Sequence, residues 1–314
     1  MRIVFLGSGA FGVPTLTTLL AEHEVAAVVT QPDRPAGRGG KLTPTPVSDA
    51  IAALGADAKP PLLKPESINA PGPREQLRAL DADAWVVIAY GQKLGQDLLE
   101  DVFAINLHAS PLPRWRGAAP IHHAVLAGEK ETGNSVITLA DRMDAGAVLG
   151  RSRRPIEPTH TTGELHDLLA ADGPPVVQEV LTRHASGTLA PEVQDESRVT
   201  LAPKLSRAAA ALDLSETCER VRCLVNGLSP WPGVGAALGG EGLKLLRAGP
   251  VTGSLPEARP GTIVDAEAGL VMCGEGAIRL IEVQPAGKRP MAWEAFARGR
   301  GIESGSMLLP KNQS

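Results

Sequence analysis

Aromatic side chains are scarce in this chain of 314 residues, at 3% of the sequence, with four Trp, four Phe and a single tyrosine, Tyr90. Cysteine is scarcer still. Cys218, Cys223 and Cys273 are odd in number and lack C-x-x-C spacing, which argues against a disulfide framework and a structural zinc site. A reducing compartment fits, and the cytoplasm is the expected location. No run of about 18 apolar residues is present, so no membrane span is expected. The N-terminus has no basic stretch ahead of a long apolar core, so no signal peptide is expected either. A large charge excess is also missing. The formal net charge is −4, which is no global sign of a nucleic-acid partner. Residues 205–314 nevertheless carry 12 Lys/Arg against 11 Asp/Glu, and the preceding 204 residues carry 19 against 24. The C-terminal part is therefore relatively basic, as an ordinary solvated surface would also be.

Hydrophobic residues make up 43% and charged residues 21% of the chain, the composition of a protein that buries a core. The length suits one large or two medium domains. Glycine (34) and proline (27) are abundant, so loops should be many and stiff. Apolar runs at 2–6, 25–30, 84–89, 104–107 and 135–139 read as strands, and helical stretches at 13–21, 73–80, 118–126 and 163–182 lie between them. All-apolar strands alternating with helices predict an α/β fold with a doubly wound, mostly parallel sheet. Residues 185–206 are polar, aperiodic and contain two prolines, and read as a linker or a crossing strand pair. A helix over 215–226 follows, with Ser215 as the expected N-cap and Gly227 as the stop. The short runs VGAAL, LKLLRA, GTIVDA, GLVMC and AIRLIEV, spaced by Gly and Pro, predict a small β-barrel.

The first strand leads into FLGSGAFG, in which Gly7, Gly9 and Gly12 spell G-x-G-x-x-G. A dinucleotide site also needs an acid at the end of the second strand to hold the ribose. That strand ends in Thr30 and Gln31, and Asp33 follows a proline in a loop. The motif is incomplete, and a tight first turn of any doubly wound fold would produce the same glycines. NAD is not expected.

Residues 103–123, FAINLHASPLPRWRGAAPIHH, are richer in chemistry. Asn106 and His108 are two apart at the carboxyl end of a strand, so both side chains point to one face. Open α/β sheets bind ligands at that end. The stiff loop SPLP follows. The next strand ends in ADRMDAGA, and either Asp141 or Asp144 could reach His108. An amide, an imidazole and a carboxylate would then meet without a nucleophile-base pair. Such a trio suits attack on a carbonyl by an external nucleophile through a tetrahedral intermediate, with the amide donating to the oxygen. His122 and His123, neighbours on a helix, diverge by about 100° and read as structural or exposed. His160 and His166 have no partner pattern. Trp231, between two prolines, reads as a packing corner.

INLHASPLPRWRGAAPI resembles the signature of folate-dependent formyltransferases. TQPDRPAGRGGKLTPTPV, residues 30–47, resembles an inserted loop of that family. VIAYGQKL, PEVQDESRVTLAPKLS, LSPWPG and VQPAGKRPM match further along, so the likeness covers nearly the whole chain. It implies a Rossmann-like catalytic domain over 1–188, a linker over 189–206 and an OB-like, tRNA-binding barrel over 207–314. It also implies formyl transfer from 10-formyltetrahydrofolate to the α-amino group of methionine on initiator tRNA, releasing tetrahydrofolate. The expected enzyme is a monomer without metal. The family's catalytic residues fall on Asn106, His108 and Asp144. The folate would lie along Ser110, Pro111, Leu112 and Pro113 and near Tyr90 and Gly91. Alone, the basic loop of Arg34, Arg38, Gly39, Gly40 and Lys41 reads as a solvated loop. The resemblance makes it an arm on the tRNA, with Lys244, Arg247, Lys288, Arg289, Arg298 and Arg300 as a further basic surface. Ala145, Ala147 and Ala140 depart from the family's usual Thr, Asp and Asp in the loop near the pteridine pocket. The stretch DAGA is also compatible with a relative acting on an amino-sugar nucleotide, which would lack the basic loop.

Overall fold

Strands without a polar face must be covered on both sides, and a parallel sheet between helices does this. The computed structural model describes residues 1–311 except 38 and 56–58. Its elements begin with β1 (Arg2–Gly7), α1 (Val13–Glu22), β2 (Glu24–Val29), β3 (Arg34–Ala36), β4 (Lys41–Thr43), α2 (Pro46–Ala52), β5 (Leu62–Leu63), α3 (Pro71–Arg78), β6 (Ala84–Ile88), α4 (Gln96–Leu99) and β7 (Ala104–His108). There follow α5 (Pro120–Leu126), β8 (Glu131–Thr132), β9 (Ser135–Thr138), β10 (Val148–Arg151), β11 (Arg154–Pro155), α6 (Thr162–Ala185) and α7 (Cys218–Gly227). The remainder is β12 (Val234–Leu238), β13 (Glu241–Pro250), β14 (Ile263–Asp265), β15 (Leu270–Met272), β16 (Ala277–Pro285), β17 (Met291–Ala292), α8 (Trp293–Arg300) and β18 (Leu308–Pro310).

Two compact units result, neither continuous in sequence. One comprises residues 1–116, 133–153 and 166–200, and the other 117–132, 154–165 and 201–314. By packing, α5 therefore goes with the second unit although it falls inside 1–188. The stretch 189–206 is no free tether. Glu192 bridges Val148, and the Arg116 N–H donates to the Thr200 carbonyl, both in the first unit. Within the second unit, the Ala119 N–H donates to Ala202.

In the first unit the sheet runs β10-β9-β7-β6-β1-β2-β5. It is parallel from β7 to β5, as expected, while β9 and β10 are antiparallel. All five residues of β6 are buried. The part of α6 in this unit, from His166 onward, packs closely on the sheet. A Cβ on Gly173 would lie 2.6 Å from Leu107, and one on Gly150 would lie 2.9 Å from Val180. That packing, with Val176, Val177, Val180 and Leu181 buried, carries the helix through Pro174 and Pro175 despite their poor fit to a helix interior.

In the second unit an antiparallel sheet runs β14-β15-β16-β13-β12-β18, with β17 on β16. The N–H groups of Ile263, Gly305 and Leu308 donate to the carbonyls of Ser306, Ile263 and Gly261 at 2.8 Å each, which curls the sheet into a half-barrel. The helix expected at 215–226 is α7. Thr217, not Ser215, caps it by accepting from the Arg220 N–H. The fully buried Asn226 ties α7 to β13 through both its amide ends and Ala248. Trp231 is 53% exposed, so the packing-corner expectation fails there. The prolines on either side turn the chain without burying the ring.

The glycines of the first turn have a packing reason. A Cβ on Gly7 would lie 2.6 Å from the Phe5 ring and 2.9 Å from the Ile88 carbonyl, and one on Gly12 would lie 3.1 Å from Phe5. Backbone cannot yield as a flexible side chain can. Gly7→Ala should therefore lower the unfolding free energy by roughly 1–3 kcal/mol. Urea unfolding reads this directly, and an unchanged midpoint would remove the steric explanation.

Candidate active site

Alternation along β7 puts Asn106 and His108 on one face at its carboxyl end, with Asn106 opposite Ile137 and His108 opposite Ser135 on β9. Asn106 is half-buried, and its side-chain amide makes no hydrogen bond among the described residues. His108 is 7% exposed and faces an acceptor on each side. Nε2 lies 2.9 Å from the Trp115 carbonyl, and Nδ1 lies 3.6 Å from Asp144 Oδ2. A carbonyl can only accept, so Nε2 carries a proton.

Of the two candidate acids, Asp144 is the one that meets His108. Asp141 is exposed and accepts from Gln96 Nε2 at 2.5 Å. Because β9 is antiparallel to β7, with Thr138 opposite Ile105, the loop after β9 leaves beside the start of β7. It must turn back for Asp144 to reach His108. Gly146 permits the turn, since a Cβ there would lie 1.7 Å from the Thr138 carbonyl. Gln194 donates to the carbonyls of Asp144 and Gly146.

The SPLP loop is closed from within. The Ser110 hydroxyl is fully buried and donates to the Arg114 carbonyl at 2.6 Å, while the Ser110 carbonyl accepts from Ser135 Oγ. The Leu112 N–H donates to the same Ser135 Oγ at 3.0 Å, and its side chain packs with Ile137 and Val148. Pro111 and Pro113 are half-buried. Gly91 is exposed at a φ of 91°, beside Gln31, whose Nε2 is buried without a partner among the described residues. Tyr90 is no rim residue. It is 2% exposed in the core with Leu94 and Leu98, and its hydroxyl has no partner among the described residues.

The basic loop is a hairpin of β3 and β4 with Gly39 and Gly40 at its tip, at φ 109° and 62°. Arg34 pairs with Glu66 at 3.1 Å, both largely exposed, and Lys41 is exposed. Arg38 lies outside the described residues. Of the remaining histidines, His123 Nε2 meets the Pro203 carbonyl and His166 meets Asp167 and the Phe11 ring. His160 Nδ1 accepts from the Glu157 N–H. Among the described residues no group of three potential ligands is arranged to hold a metal, and no helix is long and apolar enough to cross a membrane.

Sequence reasoning missed Trp115, Arg116, Gln194 and Thr200. The bonds Gln194 and Thr200 make to the two loops run between segments 48 to 85 residues apart, and no local period marks such a pairing.

A family model described as formyl transferase matches residues 1–181, and one described as formyl transferase, C-terminal domain, matches 204–301. A protein named methionyl-tRNA formyltransferase from Methylococcus capsulatus is 42% identical over 96% of this chain and 98% of its own length. One of the same name from Bacillus subtilis is 39% identical over 99% of each. A solved structure of HypX from Aquifex aeolicus in complex with tetrahydrofolic acid superposes with a TM-score of 0.63 at 18% identity. The match covers 96% of this chain and 48% of that one.

Burial pushes the Tyr90 hydroxyl up to about 12 from 10.0. As Tyr90 is the sole tyrosine, its ultraviolet titration is free of overlap. The folded protein should show no tyrosinate near pH 10, whereas the unfolded chain titrates there. The raised value stabilises the folded state below pH 10, and that contribution is lost as the pH rises from 10 to 12. Ionisation near pH 10 in the folded protein would place the ring in water.

Proposed function

Because the chain belongs to the formyl transferase family, we propose that it carries the formyl group of 10-formyltetrahydrofolate to the α-amino group of methionine on initiator methionyl-tRNA, as a cytoplasmic monomer. The observation that carries the reading is the Asn106 amide, unpartnered among the described residues, two residues before His108 of the His108–Asp144 pair, at the carboxyl end of a parallel strand. The trio holds no nucleophile of its own, so the attacking group comes from the acceptor. Bound, the folate supplies an acyl carbon on N10.

A free α-amino group titrates near ~7.7–8.0, so part of it is neutral and nucleophilic at neutral pH. Asn106 Nδ2 donates to the formyl oxygen, and the bond strengthens as that oxygen gains charge. His108 adds its Nε2–H, which a substrate oxygen must win from the Trp115 carbonyl. Asp144 keeps the ring turned. Pro111, Pro113 and Gly91 frame the folate with exposed backbone, while Ser110 and Leu112 hold that frame from inside and Tyr90 supports it from the core. Arg34, Arg38 and Lys41 contact tRNA phosphates, with Gly39 and Gly40 letting the hairpin tip adapt.

The test measures formyl transfer to methionyl initiator tRNA beside transfer to a nucleotide-linked amino sugar. Transfer to the tRNA is expected. Asn106→Ala or His108→Ala should each lower kcat by about 10²–10³-fold with little change in KM. Turnover of the sugar alone would overturn the acceptor, and an unchanged kcat would remove that residue from the mechanism. Lys41→Ala should raise KM for the tRNA and lower the salt dependence of binding by about one phosphate contact. An unchanged salt slope would take Lys41 off the tRNA.

A further inference from the structure

We propose that Gln194 and Thr200 are positioning residues for this reaction, each holding one of the two acceptors that face the His108 imidazole. The proposal rests on the functional reading above and deepens it.

Both acceptors stand on left-handed backbone, with φ 65° at Trp115 and 54° at Asp144. Non-glycine residues seldom adopt that region unless surrounding contacts require it. The contacts come from one short segment. Thr200 Oγ1 accepts from the Trp115 N–H at 2.9 Å, and the Thr200 carbonyl accepts from the Arg116 N–H at 2.9 Å. The second of these N–H groups shares a peptide plane with the Trp115 carbonyl. Thr200 therefore sets the direction in which that carbonyl points, which is toward His108 Nε2.

Gln194 treats Asp144 in the same way. Its amide is 6% exposed and fully used. Nε2 donates to the Asp144 carbonyl at 2.8 Å and the Gly146 carbonyl at 2.7 Å. Oε1 accepts from Arg116 Nε at 3.0 Å and Nη2 at 2.8 Å. Arg116, 4% exposed, also reaches Glu196 at 2.8 Å, and the other Glu196 oxygen takes Arg142 at 2.9 Å. Hydrogen bonds from these arginines hold the Glu196 carboxyl below its usual range. The loop after β7 and the loop after β9 are thus joined through residues 194–200. Removing Gln194 takes away the hydrogen bonds to the Asp144 and Gly146 carbonyls, and with them a restraint on the backbone that aims the carboxylate at Nδ1.

The experiment compares Gln194→Ala and Thr200→Val with the wild type, and repeats Gln194→Ala in an Asp144→Ala background. Misplacing a catalytic group by about 1 Å costs about 10²-fold. Gln194→Ala should lower kcat by about that factor while KM for folate and tRNA stays within about twofold. In the Asp144→Ala background the same change should cost almost nothing more, because its effect passes through Asp144. Thr200→Val should lower kcat, and Thr200→Ser should restore it. Equal losses in both backgrounds, or a rise in KM alone, would overturn the proposal.

Amide exchange is read independently of the reaction. Gln194→Ala should speed exchange at the Ala145 and Ala147 N–H groups, which bond to the Arg142 carbonyl and Thr138 Oγ1, and leave β1 and β6 unchanged. Unchanged loop exchange, or faster exchange throughout the sheet, would overturn the positioning role. Absence of formyl transfer by the wild type would instead sink the functional reading, and exchange alone would then decide this proposal.

Discussion

His108 sits between a carbonyl and a carboxylate, and most of what is particular about the site follows from how those two acceptors are held. Each belongs to a residue in the left-handed region, Trp115 and Asp144. A peptide that reverses there can aim a carbonyl or a short acidic side chain where an extended strand end cannot. The conformation is costly for a residue with a Cβ. It persists because neighbouring hydrogen bonds use the groups it exposes. The ring itself is nearly buried, so its tautomer is set by Trp115 and not by solvent.

Sheet topology makes this clamp necessary. Had β9 run parallel to β7, the loops after the two strands would have met at one end. Because it is antiparallel, the acid-bearing loop starts at the wrong end and must fold back. Gly146 allows the tight approach to Thr138, and Gln194 takes the carbonyls that the turn leaves open. The stretch 185–206, polar and without period, reads from sequence as a linker or a crossing strand pair. Over 192–200 its aperiodicity has a different cause: the side chains of Glu192, Gln194, Glu196 and Thr200 bond to residues of the first unit, so no face needs to alternate.

The glycine fingerprint shows how one pattern serves two ends. Gly7, Gly9 and Gly12 are spaced as for a dinucleotide, yet the space a Cβ would need at each is taken by Phe5, Ile88 or Ala89. Close strand-to-helix packing asks for the same residues as close approach of a phosphate. Tyr90 makes the opposite point. Expected near the folate, it is in the core, and its hydroxyl has no partner among the described residues. Two positions after a strand end, a side chain can turn either outward or back under the sheet, and local sequence does not distinguish the two.

The amino-acid sequence alone determined the parallel sheet, the curled second unit and the pairing of Asn106 with His108 on one strand face. Each follows from short-range periodicity, the 2-residue pleat above all, which burial enforces locally. It also carried a signature long enough to mark the formyl transferase family. Tertiary structure decided which of Asp141 and Asp144 meets His108, which strands run antiparallel, and that Gln194 and Thr200 bond to the backbone of Asp144 and Trp115, which face the imidazole. Those choices depend on backbone direction and on hydrogen bonds between segments 48 to 85 residues apart. Such contacts leave no period in the sequence, because each is a single meeting of two chain segments and nothing repeats it.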